Sequence, residues 1–269
     1  SANIRNATDI MMGLVATPEG RAQLDDMFVT CVPLPDPAVA PLDIAVFFED
    51  VADPFAGVVQ YATNDIIERV CEFIGRDNDP LAAIVALETT SSGFVCTSTS
   101  YDLTIQSLQS TDPTDQNVGA SRSWIWQTCT EFGYYQEQSS AQQPFSDYVT
   151  LEYFHQMCAD VYGIEGLVPD IAATNNYYGG NEPQGTNIFY PNGKVDPWHT
   201  LGVLTDVSPG QPWLLMDGTS HCEDMYEAID PSWPEHEILS CCHYQQRTSV
   251  KQWLGLDISP EEIRALADC

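Results

Sequence analysis

The sequence predicts an α/β protein in two parts: a helical first part, then the closing strands and helices of a parallel sheet. Three observations predict it. Through the first ~110 residues, apolar side chains recur three and four apart behind cap residues. Near the end, two short apolar runs, TNIFYP (186–191) and PWLLMDG (212–218), are each closed by turn residues and read as buried strands. Helical spacing follows the second run, and strand, loop, strand, loop, helix is the closing order of an α/β sheet.

In the first part, ATDIMMGLVA (7–16) offers Thr8 or Asp9 as a cap ahead of an apolar face. TPEGRAQLDDMF (17–28) starts a second helix, with Thr17 as cap and Pro18 at the first helical position, where its missing N–H costs nothing. PLDIAVFFEDV, TNDIIERVCEFIG and NDPLAAIVALE repeat the pattern with Asn, Asp or Pro in front. QSTDPTDQNVGASRS (109–123) is polar and rich in turn formers, so a loop is expected there. LEYFHQMCADVYG (151–163) returns to helical spacing. After the two strands, 239–256 has the spacing of a helix, and SPEEIRALADC is a second one with a capping box.

The composition narrows the function. A chain of 269 residues, 43% apolar and 10% aromatic, supports a packed core of one large domain or two smaller ones. It carries 39 acidic against 9 basic residues, a net charge of −30, and its lysines are Lys194 and Lys251. Such a surface repels phosphate backbones and anionic lipids, which argues against nucleic-acid and membrane-surface partners and for an acidic or salty setting. No stretch reaches the ~18–20 apolar residues of a membrane span. The first residues have neither the basic start nor the apolar core of a signal peptide, so a processed chain or part of a precursor is expected. Nine cysteines are scattered without CxxC pairs, which argues against a metal cluster. With the sequon Asn6-Ala7-Thr8 they point to an oxidising compartment, Asn6 being the candidate glycosylation site. Nine is odd, so one thiol is free or pairs outside the chain.

The candidate chemistry lies in the two loops that leave the strands, NGKVDPWH and GTSHCEDM. In parallel α/β sheets, functional residues gather at the carboxyl ends of the strands. One loop supplies Asp196 and the other His221, 25 positions later, as two adjacent strands joined by a crossover would place them. Singly, an Asp after Asn-Gly is a turn residue and a His beside a Cys is a packed one. Together they are two-thirds of a nucleophilic triad, in the acid-then-histidine chain order of α/β-hydrolases.

NGKVDPWHTLGV with GTSHCEDM resembles the serine peptidase family that includes prolylcarboxypeptidase, dipeptidyl peptidase II and thymus-specific serine protease. Asn192, Gly193, Asp196, Pro197 and Trp198 match its Asn-Gly-x-x-Asp-Pro-Trp pattern. WIWQTCTE (124–131) is similar to its Trp-x-x-Gln-x-Cys-Thr-Glu segment, and TNNYYGG (174–180) to its Tyr-Gly-Gly stretch. His199 and the Cys after His221 resemble the thymus-specific branch most, and His199-Thr200-Leu201 departs from the prolylcarboxypeptidase branch. The likeness runs from about residue 120 to 256 and is looser before.

The resemblance implies the C-terminal part of an α/β-hydrolase sheet plus a helical cap inserted in it, with residues 1–170 mostly cap and 171–269 hydrolase. It implies a serine exopeptidase acting on short peptides after proline, with no cofactor and no metal. Asp196 would orient His221, Trp198 would wall the S1 pocket, and Glu131 and Tyr134 would approach that pocket from the cap. Glu131 would hold a substrate's amino terminus or, alternatively, accept backbone N–H groups. Phe132 and Tyr135 are expected in the core.

No serine sits in a Gly-x-Ser-x-Gly elbow, neither Ser220 nor Ser121 included, so the nucleophile is expected on an upstream segment with the first half of the sheet. The expected partner is therefore the N-terminal chain of the same precursor, with a homodimer of the completed enzyme a possible assembly and a secreted or lysosomal location. The alternative is a non-catalytic binding protein derived from a hydrolase.

Overall fold

The computed structural model describes residues 2–76, 79–90, 93–112, 114, 116–226 and 236–268. The chain forms two compact units, residues 1–54 with 70–174 and residues 55–69 with 175–269.

The first unit holds α1 (Ala2–Val15), α2 (Pro18–Phe28), most of α3 (Pro41–Tyr61) and of α4 (Asn64–Arg76), α5 (Pro80–Thr89), α6 (Tyr101–Gln109), α7 (Gln116–Gln127) and α8 (Leu151–Tyr162). α1 packs on α2 and α5, and α6 on α7 and α8. Its buried positions keep helical spacing: Ala7, Met11 and Val15 on α1, Leu24 and Phe28 on α2, Ile44, Phe47, Phe48 and Val51 on α3. Phe28 and Phe47 meet edge to face with centroids 5.2 Å apart. Gly20 lets α2 press on the end of α1, since a Cβ there would stand 2.2 Å from the Leu14 carbonyl oxygen. Disulfides Cys31–Cys96 and Cys129–Cys158 cross-link the unit, and Cys71, Cys222 and Cys242 are free thiols. Two disulfides fit the oxidising compartment expected from the cysteine count.

Four acids, Glu49, Asp50, Asp53 and Glu88, influence one another in this unit, with Glu88 buried and Asp53 at the surface. Glu49 accepts a 2.6 Å bond from the Tyr153 hydroxyl, and Asp50 one of 2.6 Å from the Ser98 N–H. The Thr97 hydroxyl reaches Glu88 at 3.4 Å. Burial raises the pKa of Glu49, Asp50 and Asp53, and burial together with the Asp50 and Asp53 charges pushes Glu88 up to about 7.

The second unit takes the last turns of α3, the end of α9 (Ile171–Tyr178), strands β1 (Tyr190–Gly193) and β2 (Trp213–Met216), α10 (His236–Trp253) and α11 (Pro260–Asp268). β1 and β2 are adjacent and parallel, with Tyr190 opposite Trp213 and Gly193 opposite Met216. α10 packs on β2, and Met216, Leu239 and Cys242 form a core flanked by Phe189, Leu214 and Ile238. Among the described residues no helix is long and apolar enough to cross a membrane.

Several expectations hold. Thr17 caps α2 by accepting from Gly20 N–H, Asp79 caps α5 ahead of Pro80, and Ser259 and Glu262 close the capping box of α11. Three need correction. α1 begins at Ala2, so Thr8 and Asp9 lie inside it; Thr8 is buried and caps nothing. The loop expected over 109–123 becomes helical from Gln116, residues 113 and 115 lying outside the described set. Distant contacts hold that polar helix: Arg122 donates to the Leu108 carbonyl and lies over the Tyr162 ring at 4.7 Å. Finally, β1 starts at Tyr190 rather than 186, because Asn187 takes a left-handed φ of 62° and both Asn187 and Ile188 donate to the Gly210 carbonyl outside the ladder.

Candidate active site

Asn-Gly, read as a turn, is the end of β1. Gly193 is required there by close approach: a Cβ would stand 2.4 Å from the Ser220 carbonyl oxygen and 2.7 Å from that of Thr219. The two loops therefore touch at their roots. Lys194 N–H donates to Met216 O and Val195 N–H to Thr219 O, both at 2.9 Å, so the parallel pairing continues past the strands. Asn192 donates to the Tyr190 and Val203 carbonyls and closes the loop on itself. Its Oδ1 fills the space a side chain at Gly202 would need.

Asp196 follows, 8% exposed, at the start of a 3-10 turn over Pro197–Leu201. Pro197 at the first position fixes φ and gives up no needed N–H. The Trp198 N–H donates to Asp196 Oδ1 at 2.9 Å, which leaves Oδ2 for one partner. That partner is His221 Nδ1 at 2.7 Å. With Asp196 acceptor-only as a carboxylate, the shared proton sits on Nδ1 and Nε2 is the basic nitrogen. His199, three residues on, folds its own Nδ1 against the Asp196 carbonyl instead.

The histidine loop is fixed from several sides. Ser220 N–H donates to Glu223 Oε2 at 2.9 Å, and Cys222 turns the chain with a left-handed φ of 58°. From α10, His243 Nε2–H donates to the Asp224 carbonyl at 2.7 Å and Gln246 to its carboxylate at 3.0 Å. From the end of α3, Gln60 offers its carbonyl to His221 N–H at 2.9 Å, and the Tyr61 ring meets the imidazole at 5.6 Å. Burial, then the Asp224 and Asp196 charges, raises the pKa of the Cys222 thiol, so it resists becoming a thiolate. Ser220 is buried, at 2% exposure, and its N–H is engaged by Glu223.

The expected site residues fall in both units. Asp196, Trp198 and His221 belong to the second; Asp196 and His221 are bonded, and Trp198 is half-buried. Glu131 and Tyr134 belong to the first. Glu131 lies in a π-helical turn, Thr128–Phe132, and its carbonyl accepts from the Thr174 hydroxyl. Tyr134 is 47% exposed, at a left-handed φ of 60°. Tyr135 and Phe132, expected in the core, are half-buried; Tyr135 stacks on Phe154 at 4.9 Å and donates to the Thr128 carbonyl. Asn6 is exposed on the first helix. Gln60, Tyr61, Glu223, His243 and Gln246 were not legible as site residues. The two on α3 stand some 160 positions from His221, with no local pattern to mark them.

An acid and a histidine bonded across loops at the carboxyl ends of two adjacent parallel strands define an α/β-hydrolase-like arrangement. Comparison with known proteins gives the family. Residues 1–236 match the model of the serine carboxypeptidase S28 family, and the chain belongs to that family of serine peptidases. It is 32% identical over 251 residues to a Caenorhabditis elegans protein named as a serine protease (K12H4.7), covering 85% of this chain and 48% of that one. It is 39% identical over 147 residues to the mouse thymus-specific serine protease, covering 54% of this chain and 29% of the mouse protein. An Arthroderma benhamiae protein named as an extracellular serine carboxypeptidase is 28% identical over 173 residues, covering 59% of this chain and 23% of its own length. The chain thus spans about half the length of the nematode relative or less of the others.

Proposed function

We propose that this chain supplies the acid and base of a serine exopeptidase that hydrolyses short peptides after proline. The observation that carries the reading is the 2.7 Å bond between Asp196 Oδ2 and His221 Nδ1, with the other carboxylate oxygen locked by Trp198 N–H. The nucleophilic serine comes from an upstream segment of the same protein, retained as a cleaved N-terminal chain or as continuous sequence. His221 Nε2 takes the serine proton as the hydroxyl attacks the carbonyl, then returns it to the leaving amine. Asp196 holds the tautomer and stabilises the imidazolium. Trp198 forms one wall of the S1 pocket, where an indole face packs well on a pyrrolidine ring.

A segment that adds strands to β1–β2 also answers a physical need. Parallel sheets are covered on both faces, and here each strand buries only its last residue. The disulfides and the extracellular fungal relative support the secretory route, with a lysosome as one destination, and Asn6 is exposed for glycosylation. The test is hydrolysis of a fluorogenic peptide with proline before the scissile bond by the full-length protein. The reading expects turnover that His221→Ala abolishes; turnover equal in both would reject it.

A further inference from the structure

The end of α3 does more than close a helix. The last carbonyls of a helix lack intrahelical partners. Here one of them, Gln60 O, is satisfied at 2.9 Å by the backbone N–H of His221. One residue on, the Tyr61 ring stands at 81° to the imidazole with centroids 5.6 Å apart. Tyr61 is 63% exposed, so burial of its own ring does not explain the contact. All these residues lie within the second unit.

The loop that carries His221 is fixed from several sides, but its imidazole ring is met by fewer groups. Among the described residues the ring meets the Asp196 carboxylate through Nδ1 and the Tyr61 ring beside it. Cys222, immediately after His221, is in a left-handed conformation that a non-glycine residue holds only under constraint. The Gln60 carbonyl supplies such a constraint on the backbone side, while the Tyr61 ring limits the plane of the imidazole. We infer that Gln60 and Tyr61 form a positioning clamp that holds His221 in the orientation its base role requires, with Tyr61 as the side chain through which the clamp can be loosened. The inference rests on the proposed role of Asp196 and His221. It adds α3 to the machinery: the clamp comes from the helical half of the sequence rather than from either strand loop.

The test compares the full-length protein with Tyr61→Ala and Tyr61→Phe, reading kcat and KM on the fluorogenic peptide and the low-field NMR resonance of the His221 Hδ1 proton. Loss of an aromatic contact of this kind is expected to lower kcat about tenfold with KM changed less than about twofold. Tyr61→Phe keeps the ring and is expected to restore kcat to within about twofold of the unsubstituted protein. The Hδ1 resonance should broaden through faster exchange in Tyr61→Ala and stay sharp in Tyr61→Phe. An unchanged kcat and an unchanged resonance in Tyr61→Ala would overturn the clamp, as would equal losses in both variants, which would assign the effect to the hydroxyl. If no form hydrolyses the peptide, the peptidase reading fails, and the resonance alone still decides for or against the clamp. Should Tyr61→Ala fail to fold, Tyr61→Leu takes its place with the same readouts.

Discussion

The two units of this protein are held together differently. The helical unit buries apolar faces from α1, α2, α3, α5 and α8 and adds two disulfides. In the strand-bearing unit the described residues give a small core around Met216, Leu239 and Cys242, the strands bury one residue each, and Cys241 on α10 is disulfide-bonded. What this unit has in quantity is hydrogen bonding between loops, gathered around Asp196 and His221. Among the described residues, the helical unit thus leans on apolar burial and the strand-bearing unit on hydrogen bonds between loops. Changes in the first should move melting and hydrogen exchange; changes in the second should move chemistry.

The largest expected break comes at the acid. Asp196→Asn keeps the shape but presents the wrong partner to Nδ1, and turnover by the full-length protein should fall by about 10⁴ while its melting temperature barely moves. In the helical unit, replacing Cys31 and Cys96 by alanine frees a loop closed across 65 positions. That should cost about 4 kcal/mol of stability, read by denaturant unfolding, with the opening seen first in exchange of α1, α2 and α5 amides. Gly193→Ala returns to the site. Its Cβ must displace the Ser220 carbonyl, shifting the histidine loop and costing about 100-fold in turnover with little change in the helical unit.

A pH experiment probes the helical unit. Glu88 has a folded pKa of about 7 against an ordinary 4.5, so folding favours its protonated form. Its contribution to stability is full below pH 4.5 and lost as the pH rises through 7. Glu49, Asp50 and Asp53 shift in the same direction. Exchange in the helical unit should therefore slow on acidification across that window once intrinsic rates are corrected, and Glu88→Gln should flatten the slope. The smallest effect is at a cap: Thr17→Ala should cost the helical unit about 1 kcal/mol by denaturant unfolding and leave turnover unchanged.

Much of this was legible in the sequence because its cause is local. Thr17-Pro18, Asp79-Pro80 and Ser259 with Glu262 satisfy helix ends with residues three positions away or nearer. Asp196 and His221 stood out because parallel strands bring their trailing loops together whatever the sequence between them. The failures share a distant cause. α7 is polar and turn-rich, and it is held by Arg122 reaching Leu108 and Tyr162. Gly193 is fixed by the histidine loop that passes over it, not by the turn its Asn-Gly pair suggests. Tyr61 gives no sign in TNDII or its neighbours that it faces an imidazole some 160 positions ahead.

The central claim, that Asp196 and His221 serve a serine carried elsewhere in the protein, is tested most directly by labelling the full-length protein with a fluorophosphonate probe and mapping the modified residue by mass spectrometry. The account predicts a single labelled serine upstream of this chain, with labelling lost in His221→Ala. Label on a serine within residues 1–269, or equal labelling with and without His221, would contradict it.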